Sequence, residues 1–542
     1  MTMMMKAGSH PLRFLSAWFP AVASGVLAGC SFGIASGLAW LPWVALAPLC
    51  WSLWIHPLPG SPQGRALRCF LLGWVAGTVS FLISLFWITT VTVLGWILLC
   101  AVLGVYHGLW ALYAGLVLRP LGETPDPARS WLGSLRNLTV CFLAAAGWTG
   151  VEWLRGILFT GFGWNSLGVA LGSILPLAQI ASITGTSGLT FLCVLGGAVL
   201  AVTVERLRRE IVGGRTRPHL DFFGVVFLIV LCFSWGLTRM NKPAGPVIPL
   251  RVAGLQGNIP VYDYWDPKCE ERIMETYRDL TRRALGSSPD LIVWPEAATP
   301  RPLLLDEILF DQVRDLASGT PADFLIGSIH YTRDPRGDFN AAILLTDHAS
   351  ASEIYNKVHL VPFGEFVPFR KALPLLSRIV GDRVPYDFDP GKGPALLRMH
   401  ARPVLLGPLI CFEDTLGDQT RRTAALGAQL LVTLTNDGWF EHSPATREHL
   451  ANARLRTIET GLPMIRVADT GVSCLIDSRG RIRERLAGPG GDTFIQGILD
   501  VTVDVPVTPS PTFYTRNGDL FAKACVALTV ACLFVALRRR LV

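Results

Sequence analysis

Two kinds of patterning divide this chain. Residues 14–238 are dominated by long apolar runs, residues 247–508 alternate short apolar stretches with charged ones, and residues 520–537 are apolar again. A helix crossing a bilayer core about 30 Å thick needs about 20 apolar residues, each rising about 1.5 Å. Eight runs bounded by charged or turn residues fit: 14–31, 34–55, 69–89, 91–117, 138–154, 183–204, 222–238 and 520–537. The fifth closes on Glu152 and Arg155, and the Gly-rich stretch 156–181 after it is only moderately apolar. No polar mature sequence follows the first run, which therefore predicts a retained anchor and not a cleaved signal.

From Leu250 onward, short β-rich runs alternate with longer amphipathic ones, the pattern of a layered α/β domain. Strands are expected at 251–256, 290–294, 323–328, 340–346, 351–357, 403–410, 430–435, 464–468 and 473–477. Helices are expected at 267–285, 303–318, 415–426 and 444–460. Pro243, Pro246 and Pro249 mark the way in from the apolar block, and Pro506, Pro509 and Pro511 mark the way out. Three segments result: a membrane domain at 1–243 with seven helices, an extramembrane domain at 244–508, and a return segment at 509–542 with the eighth helix.

Composition sharpens this picture. The chain is 51% hydrophobic and 16% charged, against roughly 25% charged residues in ordinary globular domains, so part of it must be solvated by lipid. Lys and Arg collect in one set of short connections, at Lys6 and Arg13, Arg65 and Arg68, Arg119 to Arg136, Arg206 to Arg217, and Arg538 to Arg540. The opposite connections hold only Arg155. This asymmetry predicts cytoplasmic termini and an external domain. The net charge of +7 is explained by these loops and gives no support to nucleic-acid binding. Of 12 cysteines, only Cys269, Cys411 and Cys474 belong to the polar domain. A disulfide framework is not expected, and no metal-ligand spacing or cofactor motif occurs.

Three places put a reactive side chain at the end of an expected strand: Trp294-Pro295-Glu296, the run from Lys357 through His359 to Glu365, and Cys411-Phe412-Glu413-Asp414. A thiol with an ordinary pKa near 8.5 is only a few per cent thiolate at neutral pH and needs a neighbouring base. Glu296 suits that role. Negative charge on a tetrahedral intermediate needs a preorganised cation and an N–H donor; Lys357 and the backbone of Phe412 suit these.

These segments resemble the Glu, Lys, Cys triad of the nitrilase superfamily. With eight spans around such a domain, the whole chain is similar to the apolipoprotein N-acyltransferase family. The similarity includes LQGNIP at Leu255 with Trp265 and Asp266 after it, WPE at Trp294, KVHLVPFGE at Lys357, CFED at Cys411 and NDGWF at Asn436. Glu152, Trp153, Arg155 and the GFGW ending at Trp164 belong to it as well. The resemblance implies a nitrilase-like αββα sandwich on the periplasmic side of a bacterial inner membrane. It implies Cys411 as the acylated nucleophile, Glu296 as general base, Lys357 as oxyanion stabiliser, and Glu365 and Glu413 in support. The implied reaction is ping-pong: a fatty acyl chain passes from a phospholipid such as phosphatidylethanolamine, through a Cys411 thioester, to the α-amino group of a lipoprotein's N-terminal diacylglyceryl-cysteine. Phe412 departs from the family pattern, which carries tyrosine there; the backbone N–H is unaffected, but no phenol is available.

Several residues have two readings. Glu365 and Glu413 suit either hydrogen bonding within the site or structural salt bridges. Trp265 and Trp439, on expected loops, are either lipid-facing lid residues or core aromatics. Glu152 and Arg155 contact a lipid headgroup or form a plain intramembrane ion pair. A dyad of Cys411 with His359 lacks the rest of that chemistry's pattern, and Cys269 and Cys474 are expected to be structural. The segment 363–390, rich in proline and glycine, is the expected gate. The alternative function is a membrane-tethered carbon-nitrogen hydrolase, an amidase or nitrilase, but one span would anchor such an enzyme. A transporter is disfavoured because charge is scarce in the spans.

Overall fold

The computed structural model describes residues 10–32, 39–55, 61–118, 130–213, 218–243, 245–346, 348–368, 370 and 387–541. Most of the expected gate, together with Lys6, Arg119, Arg129, Arg215 and Arg217, therefore lies outside the described residues. The chain divides into two compact units, Met1–Asn241 with Asp519–Val542, and Lys242–Gly518.

The first unit is helical. Its long helices are α1 (His10–Gly29), α2 (Pro62–Ser84), α3 (Val93–Val117), α4 (Ser130–Arg155), α5 (Thr186–Gly213), α6 (Leu220–Met240) and the C-terminal helix Leu520–Leu541. Five are long and apolar enough to cross a membrane: α2, α3, α5, α6 and the stretch Leu520–Arg538 of the last. Three expected spans differ. The first contributes only the shorter apolar stretch Trp18–Gly29. The second is split into Leu41–Val44 and Ala47–Trp54, each with a proline in its first turn, because proline starts helices but cannot continue one. The fifth lies in α4, a full-length helix whose apolar character is diluted by Asn137, Glu152 and Arg155.

The second unit has four layers. One sheet runs β12-β1-β2-β3-β4-β5 and the other β11-β10-β9-β8-β7-β6. The strands are β1 (Val247–Gln256), β2 (Leu291–Trp294), β3 (Asp323–Arg333), β4 (Arg336–Thr346), β5 (Ala351–Asn356), β6 (Leu397–Arg398), β7 (Leu405–Ile410), β8 (Leu430–Thr435), β9 (Met464–Ala468), β10 (Cys474–Ile476), β11 (Ile482–Arg485) and β12 (Gly497–Pro506). The helices are α7 (Glu270–Leu285), α8 (Glu307–Ser318), α9 (Gly417–Ala425) and α10 (Ala445–Thr460).

Strand alternation builds the layers, since successive side chains point to opposite faces. Val252, Val293 and Leu325 of the first sheet meet Leu406, Val432 and Val467 of the second between the sheets. Ala253, Ile292 and Phe324 point the other way, onto Ile273, Tyr277 and Leu280 of α7 and Leu309 and Val313 of α8. On the far side, Leu409, Leu431 and Met464 pack with Ala424 of α9 and Leu450 and Ala453 of α10. Both faces of each sheet are buried, so strands such as β8 are apolar at nearly every position.

Three strands were not expected from the pattern. In β12, Leu499, Val501, Val503 and Val505 are buried while Asp500, Thr502 and Asp504 face outward. This strand pairs along the whole of β1. β1 itself starts four residues earlier than expected despite Pro249, which falls where β1 has β12 but not β2 beside it, so the missing N–H interrupts no central ladder. Helix α8 begins at 307 and not 303 because Asp306 caps it, accepting the Leu309 N–H at 2.9 Å.

Candidate active site

The three reactive segments converge at the carboxyl ends of their strands. Glu296 follows β2 by one residue, Lys357 directly follows β5, and Cys411 directly follows β7. The turn carrying Glu296 lies so close to β3 that a Cβ on Gly327 would sit 2.0 Å from the Pro295 carbonyl oxygen. Only glycine fits there.

Glu296 is buried and multiply held. Its Oε1 accepts from Asn340 Nδ2 at 2.8 Å and from Lys357 Nζ at 3.3 Å, and its Oε2 accepts the Asn436 N–H at 3.0 Å. Lys357 Nζ also donates to Glu365 Oε1 at 2.9 Å. Asn340 bridges the two carboxylates, donating to Glu365 Oε1 at 2.9 Å. The other oxygen of Glu365 accepts the Val361 N–H at 2.8 Å. Burial opposes the charge on Lys357, but Glu365 and Glu296 outweigh it and raise its pKa above the ordinary lysine value.

Cys411 is partly exposed and sits at φ +52°. That left-handed conformation costs a non-glycine residue roughly 1–2 kcal/mol and persists only where the surroundings enforce it. Glu413 helps enforce it: it accepts from the N–H groups of Ile410, Val358 and His359 at 2.8, 2.7 and 3.1 Å, and from the Tyr355 hydroxyl at 2.8 Å. One buried carboxylate thus ties the cysteine turn to the lysine segment. Burial and the charge of Glu296 push the Cys411 thiol well above its usual value, while Lys357 pulls in the opposite direction. The sulfur rests as a neutral thiol, within electrostatic reach of both partners.

The other expected site residues separate into two groups. Phe412 is buried with its ring stacked on His359, centroids 5.6 Å apart. Burial, then Lys357, lowers the pKa of His359, and its Nε2 has no hydrogen-bond partner among the described residues. Trp265 and Trp439 occupy short turns, are exposed, and pack against each other at 5.2 Å with Tyr262 beside both. Cys474 is buried in the layer under α9 and α10, and Cys269 packs, partly buried, against the separate layer under α7 and α8. Glu152 and Arg155 belong to the first unit, where Glu152 accepts from the Leu167 N–H at 2.9 Å and the Thr190 hydroxyl at 2.6 Å. Arg155 donates to the Phe162 and Trp164 carbonyls at 2.9 and 2.8 Å and lies 3.8 Å from Glu152. The pair clasps the loop after α4.

Sequence reasoning missed Asn340, His449 and Arg466, and named Asp414, Asn436 and Asp437 only within the CFED and NDGWF motifs, without a role. A polar residue opening an apolar strand was the available signal for Asn340. For His449 and Arg466 there was none, because their partners are remote in sequence.

Comparison with known proteins agrees with this architecture. The apolipoprotein N-acyltransferase N-terminal domain family matches residues 24–199, and the carbon-nitrogen hydrolase family matches residues 251–508. An apolipoprotein N-acyltransferase from Geobacter metallireducens is 34% identical over 532 residues, covering 96% of this chain and 95% of its own. One from Bradyrhizobium diazoefficiens is 35% identical over 419 residues, 75% of this chain and 74% of its own. Among solved structures, a carbon-nitrogen hydrolase from Helicobacter pylori is 15% identical with a TM-score of 0.37, over 53% of this chain and 94% of that one. By the extent of its similarity to the Geobacter protein, the chain belongs to the apolipoprotein N-acyltransferase family.

Proposed function

We propose that this protein moves a fatty acyl chain from a phospholipid, with phosphatidylethanolamine as donor, onto Cys411 and then onto the α-amino group of a diacylglyceryl-modified lipoprotein N-terminus. The observation that carries this reading is the pairing of Lys357 with Glu296, itself held by three donors, with the Cys411 thiol within electrostatic reach of both. Glu296 takes the thiol proton as the sulfur attacks the ester carbonyl. Lys357 and the Phe412 N–H stabilise the oxyanion. Collapse breaks the ester C–O bond, the departing lysophospholipid oxygen takes the proton back from Glu296, and a thioester remains. In the second half, Glu296 deprotonates the incoming ammonium, the amine attacks, and the Cys411 sulfur leaves and is reprotonated. A neutral resting thiol fits this cycle, since the proton moves only when a carbonyl is present.

Intact-mass measurement after exposure to phosphatidylethanolamine tests the reading. The expected result is one fatty acyl mass on Cys411, released by hydroxylamine and absent in Cys411→Ala. An adduct on any other residue would refute the assignment.

The eight-span arrangement, with both termini cytoplasmic and residues 244–508 on the periplasmic side of a bacterial inner membrane, belongs to the same proposal. It is supported by five membrane-length apolar helices, the shorter apolar stretches Trp18–Gly29 and Leu41–Trp54, the full-length helix α4 and the one-sided distribution of arginine. Exposed Trp265 and Trp439 are the aromatics that would face the lipid substrate. Single cysteines placed in the 206–217 connection and at Trp265 should differ in labelling by a membrane-impermeant maleimide, with only the second labelled in intact cells. Equal labelling would overturn the orientation.

A further inference from the structure

Beneath the nucleophile lies a second cluster of ionisable groups that the proposed chemistry does not use. Asp414, Asp437, His449 and Arg466 are all fully buried. They come from four places: the turn after Cys411, the turn after β8, helix α10 and strand β9. Arg466 Nη2 contacts Asp437 Oδ2 at 3.0 Å, and its Nε lies 3.6 Å from Asp414 Oδ2. His449 Nδ1 is 2.9 Å from Asp437 Oδ1 and 3.0 Å from Arg466 Nη2. Its Nε2 is 2.8 Å from Asp414 Oδ1 and 3.2 Å from the carbonyl oxygen of Cys411. Burying four charged groups is costly, and apolar packing of equal volume would usually serve stability as well or better. A role in stability alone leaves the cluster unexplained.

The contact with Cys411 supplies a role. The carbonyl of Cys411 and the N–H of Phe412 belong to one peptide group, and a hydrogen bond to the oxygen of a peptide strengthens its N–H as a donor. We propose that His449 is a positioning residue for the oxyanion site: by donating Nε2–H to the Cys411 carbonyl it holds the strained nucleophile turn and polarises the peptide that presents the Phe412 N–H. This rests on the acyl-transfer reading above, which assigns that N–H to the oxyanion. Either protonation state of His449 permits the bond. With Nδ1 unprotonated it accepts from Arg466 Nη2 and Nε2 carries the N–H; with both nitrogens protonated Nδ1–H meets Asp437, and in either state the Nε2–H is shared between Asp414 Oδ1 and the Cys411 carbonyl. Burial and the neighbouring Arg466 oppose a charge on the ring, while Asp414 and Asp437 favour it and bring its pKa up to about 9.

His449 also links the two halves of the site. Asp437 adjoins Asn436, whose N–H holds Glu296, and Asp437 is held low, to about 2, because Arg466 and His449 outweigh the effect of burial. One side chain on α10 therefore connects the turn of the nucleophile with the turn that orients the base.

The test compares two neutral replacements. In His449→Gln the amide nitrogen reaches where Nε2 stood; in His449→Asn it reaches only as far as Nδ1. Two rates are measured for each: thioester formation from phosphatidylethanolamine in mixed micelles, and alkylation of Cys411 by iodoacetamide, which passes through no oxyanion. Gln should retain acylation within about tenfold of the wild type, and Asn should lose more, up to about 10²-fold, the lower end of the cost of removing an oxyanion-site donor outright. Alkylation rates and melting temperatures of the two variants should agree. Equal acylation by Gln and Asn, or a parallel fall in acylation and alkylation, would overturn the proposal. So would failure of both variants to fold, which would assign His449 to the core alone. Failure of the parent reading shows separately, as acylation that survives Cys411→Ala.

Discussion

Two buried charge clusters sit one residue turn apart and are balanced differently. Around Lys357, two carboxyl groups, Glu296 and Glu365, face one ammonium with a thiol beside them. Around His449, two carboxylates face the imidazole and the Arg466 guanidinium, and their charge raises the pKa of both against the effect of burial. The first cluster carries more carboxyl groups than cations, beside a thiol. The second is closed, and has nothing to exchange. The difference teaches that burial of charge alone does not mark chemistry; an imbalance next to a partly exposed nucleophile does.

Replacing the central cation of each cluster should break the comparison in opposite ways. Lys357→Met removes the oxyanion cation and should lower thioester formation by about 10³-fold or more. The orphaned carboxyl groups can share a proton, so the fold should survive. Arg466→Met removes one charge from a balanced set and should destabilise the second unit by about 3–5 kcal/mol, read by chemical denaturation in detergent. If Arg466→Met leaves stability untouched while Lys357→Met unfolds the protein, the two clusters have been assigned the wrong way round.

A smaller effect sharpens the same contrast through pH. The folded pKa of His449, about 9, lies above the ordinary 6.5, so its stabilisation is complete below pH 6.5 and is lost as pH rises through 9. The full contribution is on the order of 3 kcal/mol. The melting temperature of the wild type should therefore fall between pH 7 and pH 10 by more than that of His449→Gln. Parallel curves would show that His449 carries no charge in the folded state.

Much of the second unit was legible in sequence because its rules are local. Nine strands and four helices follow from period-2 and period-3.6 patterning, and the candidate site segments follow from strand ends that carry a carboxyl, an ammonium and a thiol. β12 escaped although its alternation of Leu499, Val501, Val503 and Val505 with Asp500, Thr502 and Asp504 is regular; the flanking prolines drew attention to an exit instead of a strand. In the membrane block, apolar length alone predicted spans at 34–55 and 138–154. Prolines within the first divide it, and ionisable residues within the second keep it outside the plainly apolar set.

By itself, the order of residues determined where apolar and polar segments begin, which strand ends carry reactive groups, and that a carboxyl, an ammonium and a thiol are all present among them. Only the tertiary structure decided that Asn340 spans Glu296 and Glu365, that Glu413 braces the nucleophile turn, and that His449 reaches the Cys411 carbonyl. The reason is physical. Apolar burial is non-directional and leaves a periodic trace along the chain, whereas a hydrogen bond depends on distances of tenths of an ångström between groups that the sequence keeps dozens of residues apart.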